Sequence, residues 1–234
     1  MTTVHRILII RSGAIGDTLL FLPFVKYVEQ CYPGVQIGLA GKPERMSLLA
    51  NWLNNSVVYN LDEEFFALYV PDALLPARLS AILEQQDIIF YFSSQPDNIA
   101  YHQLKSRCGK VYSAPALPPT DYKKHVVFYP FDRTAVRFGV KQLLAMLPGL
   151  TIHRAEEKQA ELPLVISPGA GSPRKRWPVE NWEIVIEQAF RFGIPKVQVL
   201  LGPAEVENEF TSLGKYYPDK VSVSQNLPLP EITK

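Results

Sequence analysis

Ile7-Leu8-Ile9-Ile10-Arg11-Ser12-Gly13-Ala14-Ile15-Gly16-Asp17 is the stretch from which the fold can be read. Four consecutive apolar residues between Arg6 and Arg11 match a parallel strand buried on both faces. The run breaks after Arg11 and resumes as an apolar-rich segment through Leu19, Leu20, Leu22, Phe24, Val25 and Val28. Gly13 and Gly16 predict a tight strand-to-helix turn. Asp17 falls in the first helical turn, where the helix dipole favours a carboxylate by about 0.3–1 kcal/mol. Pro23 either kinks this helix or marks its effective start. Asp17 therefore has two readings. It is a helix-start carboxylate, or it is a base held at the mouth of the sheet, where open α/β folds place ligands.

Outward from this stretch the alternation continues. Gln36–Ala40 reads as a strand ending at Gly41, and Pro43–Trp52 as a helix. Val57–Leu61 is a strand, Asp72–Gln86 a helix with Pro76 near its start, and Asp87–Phe92 an apolar strand. A polar helix is expected over Asp97–Lys105 and a short strand at Val111-Tyr112. Strands alternating with helices predict a parallel sheet covered on both sides, with a Rossmann-like arrangement as the default. Ser113–Thr120 reads as a connection and Phe131–Leu147 has helical spacing. The charged, poorly patterned stretch Thr151–Leu162 places a domain boundary there, giving domains 1–160 and 161–234.

The second unit restarts with strand Leu164–Ser167, which enters Pro168-Gly169-Ala170-Gly171-Ser172-Pro173-Arg174-Lys175-Arg176-Trp177-Pro178. Gly169 and Gly171 let backbone N–H groups approach a ligand, and three cations follow. With a helix starting near Pro178 and Glu180, the loop suits a phosphate or diphosphate. The alternative is a solvated basic loop. Helix Val179–Phe192, strand Lys196–Leu201, turn Gly202-Pro203, helix Ala204–Tyr217 and strand Val221–Val223 complete the pattern. About 70 residues with three strands sit at the low end for an independent domain. Glu205 either charges a helix N-terminus or reaches a ligand hydroxyl.

Composition bounds the rest. The 234 residues are 47% hydrophobic and 20% charged, enough for a substantial core. A net charge of +1 leaves no footprint for nucleic acid. Cys31 and Cys108 read as reduced, buried thiols. No run approaches the roughly 18–20 apolar residues of a membrane span, and the charge-bounded Ile7–Ile10 run is no signal peptide. His5, His102, His125 and His153 show no ligand spacing, so no metal site is expected. His125 reads as a strand-edge residue. Gly13-x-x-Gly16 is only part of a dinucleotide fingerprint, and Val35–Gly41 carries no acidic residue, so an NAD enzyme is weakly supported.

The Arg11–Asp17 loop with Leu22-Pro23 is followed by Ile166–Gly171, then Lys175-Arg176-Trp177-Pro178 and Leu200–Glu205. In this order the set resembles glycosyltransferase family 9, the lipopolysaccharide heptosyltransferase family. The resemblance covers essentially the whole chain, although residues 51–162 carry no diagnostic motif. It implies a GT-B architecture, two Rossmann-like domains facing a cleft, with the acceptor on the N-terminal side and a nucleotide-sugar, ADP-heptose, on the C-terminal side. It implies inverting, metal-independent transfer without a cofactor. Asp17 would be the general base in an acceptor-side loop of Ser12, Gly13 and Gly16. Lys175 would stabilise the departing diphosphate. Gly169, Ala170, Gly171, Ser172 and Arg176 would approach the phosphates, and Glu205 the nucleoside.

The implied acceptor is a lipid-linked lipopolysaccharide-core glycan, placing a cytoplasmic protein peripherally at the inner membrane face. One departure stands out. The family's Asp-x-Gly-x-x-His donor segment has no match before Lys234, so the expectation is an incomplete second domain and a truncated chain. A catalytically inactive relative acting as a binding or partner module is the alternative.

Overall fold

The computed structural model describes residues 4–134, 141, 162–170, 173–202, 210, 217–228 and 231. The chain divides into two compact units, Met1–Thr151 and Ile152–Lys234.

The first unit is organised by β1 (Arg6–Arg11), whose last five residues are all buried. Around it run β2 (Gln36–Gly41), β3 (Ser56–Asn60), β4 (Ile88–Ser93) and β5 (Val111–Pro115). All pairs are parallel, in the order β3-β2-β1-β4-β5. This is the Rossmann-like arrangement expected from the alternation. Helices α1 (Ile15–Leu19), α2 (Leu22–Cys31), α3 (Pro43–Ala50), α4 (Leu61–Glu64), α5 (Ala77–Glu84), α6 (Ile99–Arg107) and α7 (Tyr129–Asp132) connect and cover it.

The two-residue period of β1 sorts the core. Ile7 and Ile9 join Phe24, Ile37, Leu39, Phe90 and Phe92 on one face. Leu8 and Ile10 join Leu79, Leu83, Ile89, Tyr91 and Leu104 on the other. Phe24 is fully buried, with edge-on contacts to Phe90, Phe92 and Phe131 at ring separations of 5.2, 5.8 and 5.2 Å. At the end of β2, Gly41 is required by close approach. A Cβ there would lie 2.7 Å from the Arg11 carbonyl oxygen and 2.9 Å from the Met46 side chain.

Several expectations need adjustment. The helix predicted from Asp72 begins at Ala77, with Pro76 as its N-cap, because proline disfavours helical geometry in the residue before it. The first helical segment breaks at Leu20-Phe21 into α1 and α2, with Pro23 in the first turn of the second. β5 runs three residues into the supposed connection, ending on Pro115, which an edge strand tolerates. Cys108 is buried, whereas Cys31 is exposed. His125 is not at a strand edge. It caps a 3₁₀ turn over Val126–Phe128, its Nδ1 accepting from the Val127 amide at 3.4 Å.

In the second unit β6 (Leu164–Ile166), β7 (Val197–Leu201) and β8 (Val221–Gln225) form a parallel sheet in the order β6-β7-β8. Helix α8 (Val179–Arg191) starts where the sequence predicts, although Pro178 is its N-cap rather than its first residue. Val197, Val199 and Leu201 are buried with Ile166, Ile186 and Ala189. Most of the expected helices 204–217 and 131–147 lies outside the described residues.

Candidate functional site

The order of the first sheet fixes where a ligand belongs. Crossovers leave β1 in one direction through β2 and β3, and the next enters β4 on the other side. The crevice of such a sheet opens at the carboxyl ends of the two strands flanking the reversal, here β1 and β4. β1 ends at Arg11, so Ser12, Gly13 and Asp17 stand at this crevice.

Asp17 is half-buried on the first turn of α1. Its Oδ2 accepts from the Ala14 amide at 3.3 Å, which is the helix-start role that one sequence reading gave it. The carboxylate keeps capacity for further donors. The strand-to-helix turn is tight, as expected: three residues separate Arg11 from Ile15, and neither Gly13 nor Gly16 is held in the left-handed region. Gly16 lies inside α1, and a Cβ added there would meet nothing within 4 Å. Gly16 therefore leaves open space beside the loop, whereas a Cβ at Gly13 would touch Asp17 Cβ at 3.4 Å.

Arg11 is the residue beside Asp17 that the sequence reading passes over. It is only 5% exposed. Its guanidinium lies 4.5 Å from the centre of the Phe21 ring, and its Nη2 donates to the Asp17 carbonyl at 3.4 Å. Burial pulls its pKa below the ordinary arginine value, and the Asp17 charge acts in the opposite sense. Arg45 of α3 donates from Nη1 to the Gly13 carbonyl, fixing the loop from the other side. The available signal was a cation closing an otherwise apolar buried strand.

Arg11, Asp17 and Phe21 line a cavity of about 10 Å³ together with Ala116, Tyr129 and Pro130. Nothing in sequence spacing joins residue 129 to residue 17. Tyr129 packs edge-on against Tyr122 at 5.3 Å; Tyr122 in turn donates to Asp132 at 2.8 Å, and Lys124 reaches both Asp132 oxygens at 2.9 Å. Burial alone would raise the Asp132 pKa, but the bonds from Lys124 and Tyr122 leave it below the ordinary carboxylate range. At the end of β4, Asn98 caps α6 by accepting from the Tyr101 amide at 3.1 Å and donates to Tyr91 at 2.9 Å. A wider depression of about 540 Å³ opens there, lined by Tyr69, Gln95, Asp97 and His102 among others.

The second unit carries the cationic loop. Gly169 and Ala170 are partly exposed after buried Pro168. Pro173–Lys175 form a 3₁₀ turn, and Arg176 Nε donates to the Ala170 carbonyl at 3.4 Å, closing the loop on itself. Arg174 and Lys175 are exposed, and among the described residues none of the three cations forms an ion pair. With no ion pair among the described residues, these cations ahead of α8 give positive potential suited to an anion. Trp177 stands edge-on to Trp182 at 5.2 Å. Gly171, Ser172 and Glu205 lie outside the described residues. Among the described residues no His, Cys, Asp and Glu group could hold a metal ion, and no helix is long and apolar enough to cross a membrane.

No protein-family model and no curated protein matches the chain. Solved structures do. The chain is similar to the E. coli heptosyltransferase WaaC with ADP at 14% identity and a TM-score of 0.58, covering 97% of this chain and 77% of that one. It is similar to a family 9 glycosyl transferase from Veillonella parvula at 14% and 0.59, covering 96% and 71%. For the E. coli ADP-heptose lipopolysaccharide heptosyltransferase II the values are 13% and 0.54, covering 95% and 72%. At such identities the likeness establishes the fold, an α/β architecture of GT-B type. The second unit is a partial counterpart, and the chain spans 71–77% of these proteins' lengths.

Proposed function

We propose that the chain is a glycosyltransferase of family 9 type that moves a sugar, heptose, from a nucleoside diphosphate donor to a glycan hydroxyl with inversion. The observation carrying this reading is the half-buried Asp17 carboxylate at the β1 end of the crevice, in a fold shared with heptosyltransferases. Asp17 takes the proton of the acceptor hydroxyl as its oxygen forms a bond to the anomeric carbon. The bond from that carbon to the diphosphate oxygen breaks, and the nucleoside diphosphate leaves with the electron pair. Lys175, with Arg174 and Arg176, offsets the charge that develops on the leaving group, so the protein's own cations take the place of a metal.

Gly169, Ala170, Gly171 and Ser172 bring backbone amides to the phosphates, and Glu205 contacts the nucleoside. That neighbouring structures carry ADP or an ADP-heptose analogue supports an ADP-linked donor. The acceptor is a lipid-linked lipopolysaccharide-core glycan, reached from the cytoplasmic face of the membrane by peripheral attachment.

The test is ADP release from ADP-heptose in the presence of a lipid-linked core glycan. Asp17→Asn should lower kcat by about 10²–10⁴-fold while leaving the folded amide spectrum intact. Wild-type rates in that variant remove Asp17 from the mechanism, and no release by the wild-type chain overturns the transferase reading.

A further inference from the structure

Arg11 costs the fold something that a hydrophobic side chain would not. A guanidinium at 5% exposure has lost its hydration, and a residue kept only to pack against Phe21 would serve better as Met or Leu. Its return contacts are sparse. Nη2 has the 3.4 Å bond to the Asp17 carbonyl, and among the described residues the buried Nε has no hydrogen-bond partner. Tyr129 lines the same cavity, and its buried hydroxyl likewise has no partner among the described residues. Among the described residues Asp17 is the one carboxylate lining this cavity. Two donors are thus concentrated beside a single carboxylate, and at about 10 Å³ the space has no room for a phosphate or a sugar. The charge therefore acts on the protein's own Asp17 through space, without a close ion pair among the described residues, rather than on a bulky anion. Both side chains border Gly13, where the place a Cβ would occupy is 3.8 Å from Arg11 Nε and 3.9 Å from Asp17 Oδ2.

We infer that Arg11 is a positioning residue for Asp17. It holds the first turn of α1 through the Asp17 carbonyl, and it presents a fixed positive charge to the carboxylate, so the base keeps one orientation over the crevice. Tyr129 closes the back of the same cavity. The inference rests on the reading of Asp17 as the base.

Two measurements on the full chain separate the two claims. The Ala14 amide bonded to Asp17 Oδ2 gives an NMR shift step when the carboxylate ionises. That step should shrink at least about twofold in Arg11→Met and be largely kept in Arg11→Lys. In the ADP-release assay Arg11→Met should lower kcat by about 10–100-fold with donor KM unchanged, and Arg11→Lys should recover part of the loss. A full-sized Ala14 step in Arg11→Met, or kcat within about twofold of wild type, overturns the inference. Where Arg11→Met does not fold, Arg11→Gln is read against the same thresholds. A wild-type chain that releases no ADP defeats the transferase reading, and the Ala14 step then decides on Arg11 by itself.

Discussion

The two sheets start from the same strand-loop-helix unit and end in different states of burial. β1 and β4 are buried along nearly their whole length, and their sequences, RILIIR and IIFYFS, are continuous apolar runs. β7, VQVLL, is buried only at alternate positions, and Val165 of β6 is half exposed. Central strands covered on both faces need apolar residues everywhere, whereas a strand with one covered face needs them at every second position. The loops differ in parallel. The first is tied down by Arg11, Arg45 and the Asp17 cap, while among the described residues the cations of the second form no ion pair and Arg176 bonds back to Ala170.

Three measurements break or sharpen this contrast. The largest effect is expected from Phe24→Ala, which should cost about 3–5 kcal/mol in denaturant unfolding, since it removes a ring contacted from several sides. Val165→Ala, at a half-exposed position, should stay within about 0.5 kcal/mol. Equal costs would erase the difference between the sheets.

Next comes Lys175→Ala. If the second loop acts through its free cations, the variant should bind ADP about tenfold more weakly, roughly 1.4 kcal/mol, in a calorimetric titration. Unchanged affinity would return the loop to the solvated reading.

The smallest effect concerns the opposite edge of the first sheet. Asp87 Oδ2 accepts from the His5 and Arg6 amides at 2.7 and 3.0 Å, tying the start of β1 to the start of β4. These bonds, from His5 first and then Arg6, hold its pKa below the ordinary 3.8. A depressed carboxylate stabilises the fold above its unfolded pKa, and that stabilisation is lost as pH falls through the folded value. Asp87→Ala should therefore cost at most about 1 kcal/mol at neutral pH, since both bonds are exposed. The gap should close below about pH 4. A gap that persists at acid pH would assign the effect to packing.

What could be read in advance follows the same physics. β1, β2, β4 and β7 were visible because burial of a parallel strand leaves an apolar run or an alternation in the sequence. The four-residue helices α4 and α7 were not, because a single turn shows no period. β5 was read short because its edge position, which admits Pro115, is a property of the sheet. At the site, Asp17 and the 174–176 cations were legible as charges placed just after strands. Arg11 was legible only as the end of a strand, since its weight comes from being buried against Phe21.

By itself the sequence determined the α/β alternation, and it marked two glycine-bearing loops that each follow a strand. Each of these is written in local spacing and local charge. Tertiary structure alone decided the strand order, and with it the crevice between β1 and β4, because order depends on how crossovers stack rather than on any residue pattern. It also decided that Tyr129 and Arg45 meet the Asp17 loop from 112 and 28 residues away in number. Such contacts are set by packing across the sheet edge, where distance along the chain carries no information.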